Sequence, residues 1–516
     1  MEKEINPNYK WLALSVTSLG ALLSVLNGNT LLIALPVVMR DLNASVESIT
    51  WALMIYLLAI TILVPSIGRV ADMVGRKQLY VGGFALFTVA AFALGFIQNG
   101  TQLIVGRLIQ AIGGSLMLAN STAIVTDAFP QGQLGRALGI NSMIIAIASI
   151  IGPILGGVLV TINWRLIFFF NVPLGIIGTI WAQAQVRELV KLPAGQRFDW
   201  LGTALFTVGF TLLLLGITIG SISGWTPLWI AAIVVGLALM VGFVYVEGHT
   251  DQPMLDLSLF KKRLLAAAYA TNFLNGIARG SITFLLIFYF QGPLGIDPLQ
   301  AGLLLIPFAA AMMVVAPISG MLSDRFGSRE LSFAGLAIAA VGIYGYTHIS
   351  LTTPMSQIVL WMVITGIGSG LFASPNTNAI MGAVSPQRRG IAAGTRTMMN
   401  NAGSVISIGL GMAMIASTMS PAALQGLFAG TQVGSQGITL NEFFGGLHNA
   451  FMLSFIISAV AAIVSLLRGP HQVYNPGEDQ ASPTSSGSLG YSNQKNLVPQ
   501  PVDDDDPPPQ AGPTGH

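Results

Sequence analysis

The sequence of 516 residues contains no cysteine, and only 9% of its residues are charged. Without cysteine there is no disulfide, no thiolate-bound zinc, no thioether-attached haem and no thiol nucleophile. No Asp, Glu, Lys or His falls in the middle of any long apolar run. A membrane-embedded enzyme would need such groups as acid, base or metal ligands, so neither catalysis nor a bound metal or cofactor is expected. No Gly-x-x-x-x-Gly-Lys-Ser/Thr stretch occurs either, which excludes ATP hydrolysis by a phosphate-binding loop and leaves a gradient as the energy source. Gly366, Gly368 and Gly370 lie inside an apolar run with no preceding strand, and they read as helix packing. A net charge of +2 provides no field to hold nucleic acid.

What the chain has is apolar length. Hydrophobic residues make up 53% of it, and the mean hydropathy is +0.71; in soluble domains about 25% of residues are charged. A helix crossing about 30 Å of hydrocarbon needs about 20 mainly apolar residues. Fourteen runs meet that need: 12–38, 48–67, 78–97, 102–127, 136–161, 166–187 and 200–220, then 227–247, 265–291, 299–320, 331–348, 356–383, 391–416 and 446–467. The fold class expected is an all-α polytopic membrane protein, with the lipid bilayer as its first partner.

Orientation follows from the 23 Lys and Arg. With a cytoplasmic N-terminus and fourteen crossings, eighteen of them fall inside, Arg468 included; Arg40 and Arg165 fall outside, and Arg107, Arg279 and Arg396 lie within spans. That bias obeys the positive-inside rule, so both termini are expected in the cytoplasm and the chain in the cell membrane. The first run is too long for a cleaved signal peptide. Residues 469–516 are rich in Pro, Ser, Gly and Asp and are expected to form a disordered tail. The long external loop 417–445 carries Leu424, Leu427, Phe428, Phe443 and Phe444, enough for short interfacial helices.

The chain also repeats itself. Gly68, Asp72 and Gly75, followed by Arg76 and Lys77, recur as Gly320, Asp324 and Gly327, with Arg325 and Arg329 alongside, at a shift of 252 residues. Gln102, Gly113, Thr122, Ile124 and Gly139 meet Gln357, Gly368, Thr377, Ile380 and Gly394 at a shift near 255. Spans two to five thus resemble spans ten to thirteen in the same orientation. The expected division is a cytoplasmic N-terminus 1–10, a six-helix bundle 11–188, a linker with spans seven and eight 189–264, and a second six-helix bundle 265–468. Parallel repeats about an axis along the membrane normal belong to secondary transporters, with the substrate site near the midplane between halves.

Taken together, these motifs resemble the major facilitator superfamily. Gly68 to Lys77 is similar to its signature loop between the second and third helices. Leu103 to Gly113, with Arg107 and Gln110, is similar to its fourth-helix motif, except that Ala111 stands where Gly is usual. Gly139, Ala148, Gly152, Pro153, Gly156 and Gly157 resemble the fifth-helix antiporter motif, with Ala148 replacing one Gly. Trp164-Arg165 through Asn171-Val-Pro173, Asp199 to Gly202 and Met254 to Phe260 look like the fourteen-helix drug:proton antiporter branch. The resemblance implies a major facilitator fold of two six-helix bundles plus two extra central helices, alternating access, and efflux of amphiphilic small molecules with protons as coupling ion. A monomer is expected. Asp72 and Asp324 would then latch the outward-facing state, paired with Arg76 or with a helix N-terminus of the other half. One departure stands out: span one carries Asn27 where that branch has Asp. The alternative is therefore an anionic or lipid-like substrate, not coupled to protons through the first helix.

Charge inside hydrocarbon is costly and rarely idle. Arg279 lies near the centre of span nine, whereas Arg107 and Arg396 lie about 9 Å from a span end at 1.5 Å per residue. Arg279 is the expected midplane contact, with a tie to backbone carbonyls as its structural alternative. Asp127, at the inner end of span four, is expected to form a gate pair with nearby Arg136. The remaining inward candidates are amides: Asn27, Asn29, Gln110, Asn120, Asn141, Asn272, Asn275, Asn376, Asn378, Asn400 and Asn401. Each is either a substrate contact or polar glue between helices. Asn27 and Asn275, both in Leu-Asn-Gly, are expected to be pseudo-equivalent. With only Arg supplying charge, the set predicts a pocket for an amphiphilic neutral or anionic molecule.

Overall fold

The computed structural model describes residues 8–42, 44, 46–189, 198–251, 253–255, 257–419 and 440–469. Among them fourteen helical spans follow one another, and no strand occurs. Spans one to five are single helices, Tyr9–Asp41, Val46–Val74, Arg76–Leu94, Gly100–Ala128 and Leu134–Ile162. Span six is Leu166–Phe169 continued by Asn171–Gln185, and spans seven and eight are Trp200–Ser223 and Pro227–Glu247. Span nine is Arg263–Gly280 continued by Ile282–Gln291, and span ten is Pro298–Leu304 continued by Ile306–Phe326. Arg329–Tyr346, Met355–Gly382, Arg389–Ala416 and Leu440–Leu466 complete the series. Twelve described helical stretches are long and apolar enough to cross a membrane; span five contributes the shorter apolar stretch Leu134–Ala148. Span eleven opens on Arg329 and Glu330, which lower its apolarity.

The sequence punctuates these helices locally. Asn99 caps span four by accepting from Gln102 N–H, Asp199 caps span seven through Gly202 N–H, and Asp297 caps span ten through Leu299 and Gln300 N–H. Gly75 (φ 120°) and Gly327 (φ 83°) make the matching sharp turns after spans two and ten, in a left-handed region that a side chain would strain. The internal repeat is visible in packing. A Cβ at Gly113 would lie 2.9 Å from the Gly83 carbonyl oxygen, and one at Gly368 would lie 2.6 Å from that of Gly335. Spans three and four therefore touch as spans eleven and twelve do.

Spans seven and eight pack on each other through Gly209 and Gly236, and span seven also rests on spans thirteen and two. Val234, Leu237, Val241 and Tyr245 of span eight are exposed, as expected of a helix facing acyl chains. At the last span one expectation fails. Phe443 and Phe444 are not loop residues: they belong to the helix Leu440–Leu466, and Phe443 is buried in a cluster with Tyr289 and Leu447. Apolar residues at helical spacing were enough to extend the span backwards. Leu424, Leu427, Phe428 and the tail from residue 470 lie outside the described residues.

Candidate functional site

The loops carrying most of the Lys and Arg gather at one end of the bundle, called the basic end here. There the two halves meet through one contact made twice. Gly68 of span two lies against span thirteen, where its Cβ would sit 2.5 Å from the Gly390 carbonyl oxygen. Gly320 of span ten lies against span five, where its Cβ would sit 2.0 Å from the Gly135 carbonyl oxygen. One turn further on, Asp72 Oδ2 accepts the Ile391 N–H at 3.1 Å, and Asp324 accepts the Gly135 and Arg136 N–H groups at 2.9 and 3.1 Å. Each aspartate thus caps the first turn of a helix in the opposite half, where unpaired N–H groups and the helix dipole favour negative charge. Deeper in the same interface, Gly394 packs on Pro65 and Gly139 on Pro317. Any side chain at these glycines would hold the halves apart.

Around the first copy lies a buried ionic network. Arg76 donates to Asp72 through Nη2 at 2.8 Å, pairs with Asp127 through Nη1, and donates to the Pro386 carbonyl at 2.9 Å. Asp127 also takes Arg389 Nη1 at 3.1 Å, so three of the four charges sit in one half and the fourth in the other. This overturns the expected Asp127–Arg136 pair. Arg136 is exposed, with its guanidinium over the Trp11 ring at 5.4 Å, and it offers only its backbone N–H to the latch. The reason is helix phase: the 131–133 turn and the start of span five direct that side chain outwards. Around the second copy, Asn378 Nδ2 donates to Asp324 at 3.1 Å and Arg325 is exposed.

At mid-depth the candidates separate into two groups. Arg107, Gln110, Asn27, Asn120 and Asn376 are at most 1% exposed, sealed within the bundles rather than lining an opening. Arg107 donates to Gln110 Oε1 at 2.9 Å and stacks 4.2 Å over the Tyr56 ring, which in turn interacts with Asn27. That cluster ties spans one, two and four. Asn120 donates back to Leu116 O, and Asn272 donates to Arg396 O, tying span nine to thirteen. Asn141 and Asn275 are buried, and Asn400 and Asn401 are half-buried on span thirteen. Asn29 lies in the span-one helix, and Gly152 and Pro153 lie in that of span five.

Arg279 behaves differently. It ends the first helix of span nine, where Ser281 N–H turns aside to donate to Ser407 Oγ at 2.8 Å. The residue is half-buried, and its guanidinium makes a soft contact, to Met312 Sδ at 3.9 Å. Its counterpart in the other half follows from packing. Gly156 of span five lies on Thr30 of span one, and Gly411 of span thirteen lies on Ser281. Both glycines stand seventeen residues after the equivalent Gly139 and Gly394, so Thr30 matches Ser281 and Gly28 matches Arg279. A Cβ at Gly28 would meet nothing within 4 Å, so it faces open space. The Leu-Asn-Gly pairing of Asn27 with Asn275 is therefore incorrect. A Cβ at Gly276 would lie 2.5 Å from the Asn400 carbonyl oxygen, a place unlike that of Gly28.

A family model described as Major Facilitator Superfamily matches residues 17–249 and 268–499. The chain belongs to the major facilitator superfamily. It is 29% identical over 465 residues to the riboflavin transporter RibZ of Clostridioides difficile, covering 89% of this chain and 96% of that one. It is 27% identical to the tetracenomycin C resistance and export protein of Streptomyces glaucescens, covering 88% and 91%. Against the multidrug transporter protein MdtP of Bacillus subtilis it is 29% identical, covering 79% and 76%. Among solved structures, the human organic anion transporter MFSD10 superposes with a TM-score of 0.61 at 14% identity, covering 87% of this chain and 99% of that one. The proton:xylose symporter XylE superposes with a TM-score of 0.61 at 13% identity, covering 89% and 95%. This is a transporter, not an enzyme.

One functional-looking residue of this facilitator escaped the sequence. Arg468, counted there as a cytoplasmic charge, is 1% exposed. Its Nη1 donates to Ser332 Oγ at 2.8 Å, and its Nη2 donates to Thr271 Oγ1 at 2.6 Å and to Asn376 Oδ1. It thus joins spans nine, eleven, twelve and fourteen without a carboxylate, and burial pushes its guanidinium down to about 9. The signal that could have found it is the row of polar residues, Thr271, Ser332 and Asn376, at the same depth on three neighbouring spans.

Proposed function

We propose that this facilitator exports amphiphilic small molecules across the cell membrane by alternating access, with its basic end and both termini in the cytoplasm. The observation carrying this reading is the doubled latch. Two pseudo-equivalent aspartates each cap a helix of the other half, so releasing both frees the halves to rock as rigid bodies about the middle. In this structure the basic end is closed. Export-named relatives, the bias of positive charge, and the small-residue face Gly139, Gly152, Gly156 and Gly157 support the direction. The substrate region we assign is that of Arg279 and Met312, one guanidinium beside a soft, adaptable thioether, and open space at the pseudo-equivalent Gly28 leaves room on the other half.

A second reading is favoured by Asn27 and Arg279 together: an anionic or lipid-like substrate, with protons not coupled through span one. A neutral amide cannot carry a proton at that depth, and a lone guanidinium selects for negative charge. Counterflow and pH-jump uptake into inverted vesicles, run on a panel of cationic, neutral and anionic amphiphiles, test both readings. Arg279→Ala should abolish transport of anionic members while sparing binding of neutral ones. If every substrate moves normally in that variant, the assignment of the site fails. Transport driven by a pH gradient and made insensitive to it by no change at span one would instead locate the coupling group elsewhere.

A further inference from the structure

Spans seven and eight stand outside the six-plus-six repeat, yet their basic ends hold two carboxylates with unused oxygens. Asp199 opens span seven: its Oδ1 accepts the Gly202 N–H at 2.8 Å, and its Oδ2 has no partner. Glu247 closes span eight and is only 4% exposed; its carboxylate faces the Leu255 N–H, at 3.2 Å from Oε1, and the Met254 N–H, and its Oε2 is left without a close donor. A Cβ added at Gly202 would lie 2.2 Å from Asp199 Oδ2 and 3.0 Å from Glu247 Oε1, so both acids crowd one point. Arg69 of span two is the cation facing Glu247. Asp256, next in sequence after Leu255, lies outside the described residues.

Two carboxylates round one point, one of them removed from water, resist ionising together. A buried acceptor oxygen without a donor is also costly. One proton answers both difficulties, because it removes a charge and turns an unpaired acceptor into a donor. We propose that Glu247, crowded by the Asp199 carboxylate, is a proton-binding group that passes the pH at the basic end to the first latch. The mechanical route is short. Glu247 holds the Leu255 N–H, and neighbouring Met254 Sδ accepts from Ser66 Oγ of span two at 3.1 Å. Ser66 stands half a turn before Gly68, whose contact with Gly390 is the latch itself. With the proton bound, the Met254–Leu255 turn stays docked and the latch closed. When Glu247 ionises it needs water, the turn lifts, and span two loosens.

The test is independent of any transported molecule, so it can fail while the export reading stands. The natural absence of cysteine makes a single introduced thiol the only one present. In the full-length protein in nanodiscs, Ile391→Cys places that thiol inside the latch, and Gln78→Cys gives an exposed reference for thiolate ionisation. Corrected for the reference, maleimide labelling of Ile391→Cys should accelerate severalfold from mildly acid to mildly alkaline pH. Adding Glu247→Gln, a permanent mimic of the protonated acid, should hold labelling slow at every pH. Asp199→Asn keeps the helix cap but removes the second charge, and it should flatten the response in the same way. Infrared spectra with isotope-labelled Glu should show a protonated carboxyl band that titrates over this range and vanishes in Glu247→Gln. A flat wild-type labelling profile, or a pH response and carboxyl band surviving both substitutions, overturns the proposal. Should Glu247→Gln fail to fold, Asp199→Asn and the wild-type infrared band decide alone.

Discussion

Gly320→Ala should spring the second latch. The added Cβ would lie 2.0 Å from the Gly135 carbonyl oxygen and 2.7 Å from its carbon, both backbone atoms that cannot turn aside as a side chain could. Contacts between such atoms are comfortable near 3.5 Å, so spans ten and five must part by roughly 1.5 Å at this point. Parting them also draws Asp324 away from the Gly135 and Arg136 N–H groups it caps. Overpacking of this kind costs about 1–3 kcal/mol. At about 2 kcal/mol the ratio of closed to open molecules falls roughly thirtyfold, since about 1.4 kcal/mol is a factor of ten. Most of the cost falls on the closed state, because the two nearest atoms belong to the other half, whereas the third contact, Ser374 Oγ at 2.9 Å in the same half, is a side chain that can turn aside. Spin labels at Gln78 and Arg329, exposed positions in opposite halves at the basic end, report the separation directly. Gly320→Ala should add a long-distance population, and Gly132→Ala, where a Cβ meets nothing within 4 Å, should not. Gly68→Ala acts on the same equilibrium through Gly390, so the double variant should open further. Identical distance distributions for wild type, Gly320→Ala and Gly132→Ala would refute the latch geometry.

Two further outcomes follow from the ionic contacts. Asp127→Asn strips the shared anion from Arg76 and Arg389, whose side chains are 3% and 9% exposed, and leaving buried charge uncompensated costs about 3–5 kcal/mol. Arg76 keeps Asp72, so thermal unfolding in detergent should show a clear drop that is partly recovered when Arg389→Met removes the stranded cation; no drop would mean the network is idle. At the opposite end, the Trp164 indole and the Arg165 guanidinium hold the Asp41 carboxyl below its ordinary value of 3.8. A depressed carboxylate stabilises above its unfolded value and loses that contribution as pH falls through the folded one. Asp41→Asn should therefore unfold slightly earlier than wild type at neutral pH, with the gap closing only below about pH 3.8; a gap persisting there would contradict the pairing.

The spans were legible because the physics marking them is local: hydrocarbon length, a capping Asn99 or Asp199, a left-handed Gly75 or Gly327. The repeat was legible for a related reason. Glycines that let backbones touch, such as Gly113 and Gly368, keep their spacing because the contact they serve is backbone on backbone. Side-chain partners were less legible. Asp127 and Arg136 are neighbours in sequence, but the turn between them points one inward and the other out, and the true partners are Arg76 of span three and Arg389, a full repeat away. Arg468 sits just past a helix end, where a long side chain ordinarily snorkels outward; three polar acceptors within reach draw it inward instead. Leu-Asn-Gly occurs twice by composition alone. Register at mid-membrane is set by what spans five and thirteen press against, and no single helix records that.

The two latches share a backbone geometry but differ in charge, and that difference sets an order. Duplication explains why Asp72 and Asp324 each cap a foreign helix, with Gly68 and Gly320 beneath them. It does not explain why only the first is embedded among Arg76, Asp127 and Arg389. Opening the second latch exposes Asp324 and two N–H groups to water that solvates them well. Opening the first must also separate Arg389 from Asp127 across the halves; Asp127 keeps Arg76, but the buried Arg389 loses its carboxylate until water arrives. The halves should accordingly part first along spans five and ten and last along spans two and thirteen. The motion at the basic end is then a swing hinged on the first latch rather than a symmetric parting. Spans seven and eight rest on that same hinge line, against spans two and thirteen, where two added helices widen the bundle without obstructing the side that opens.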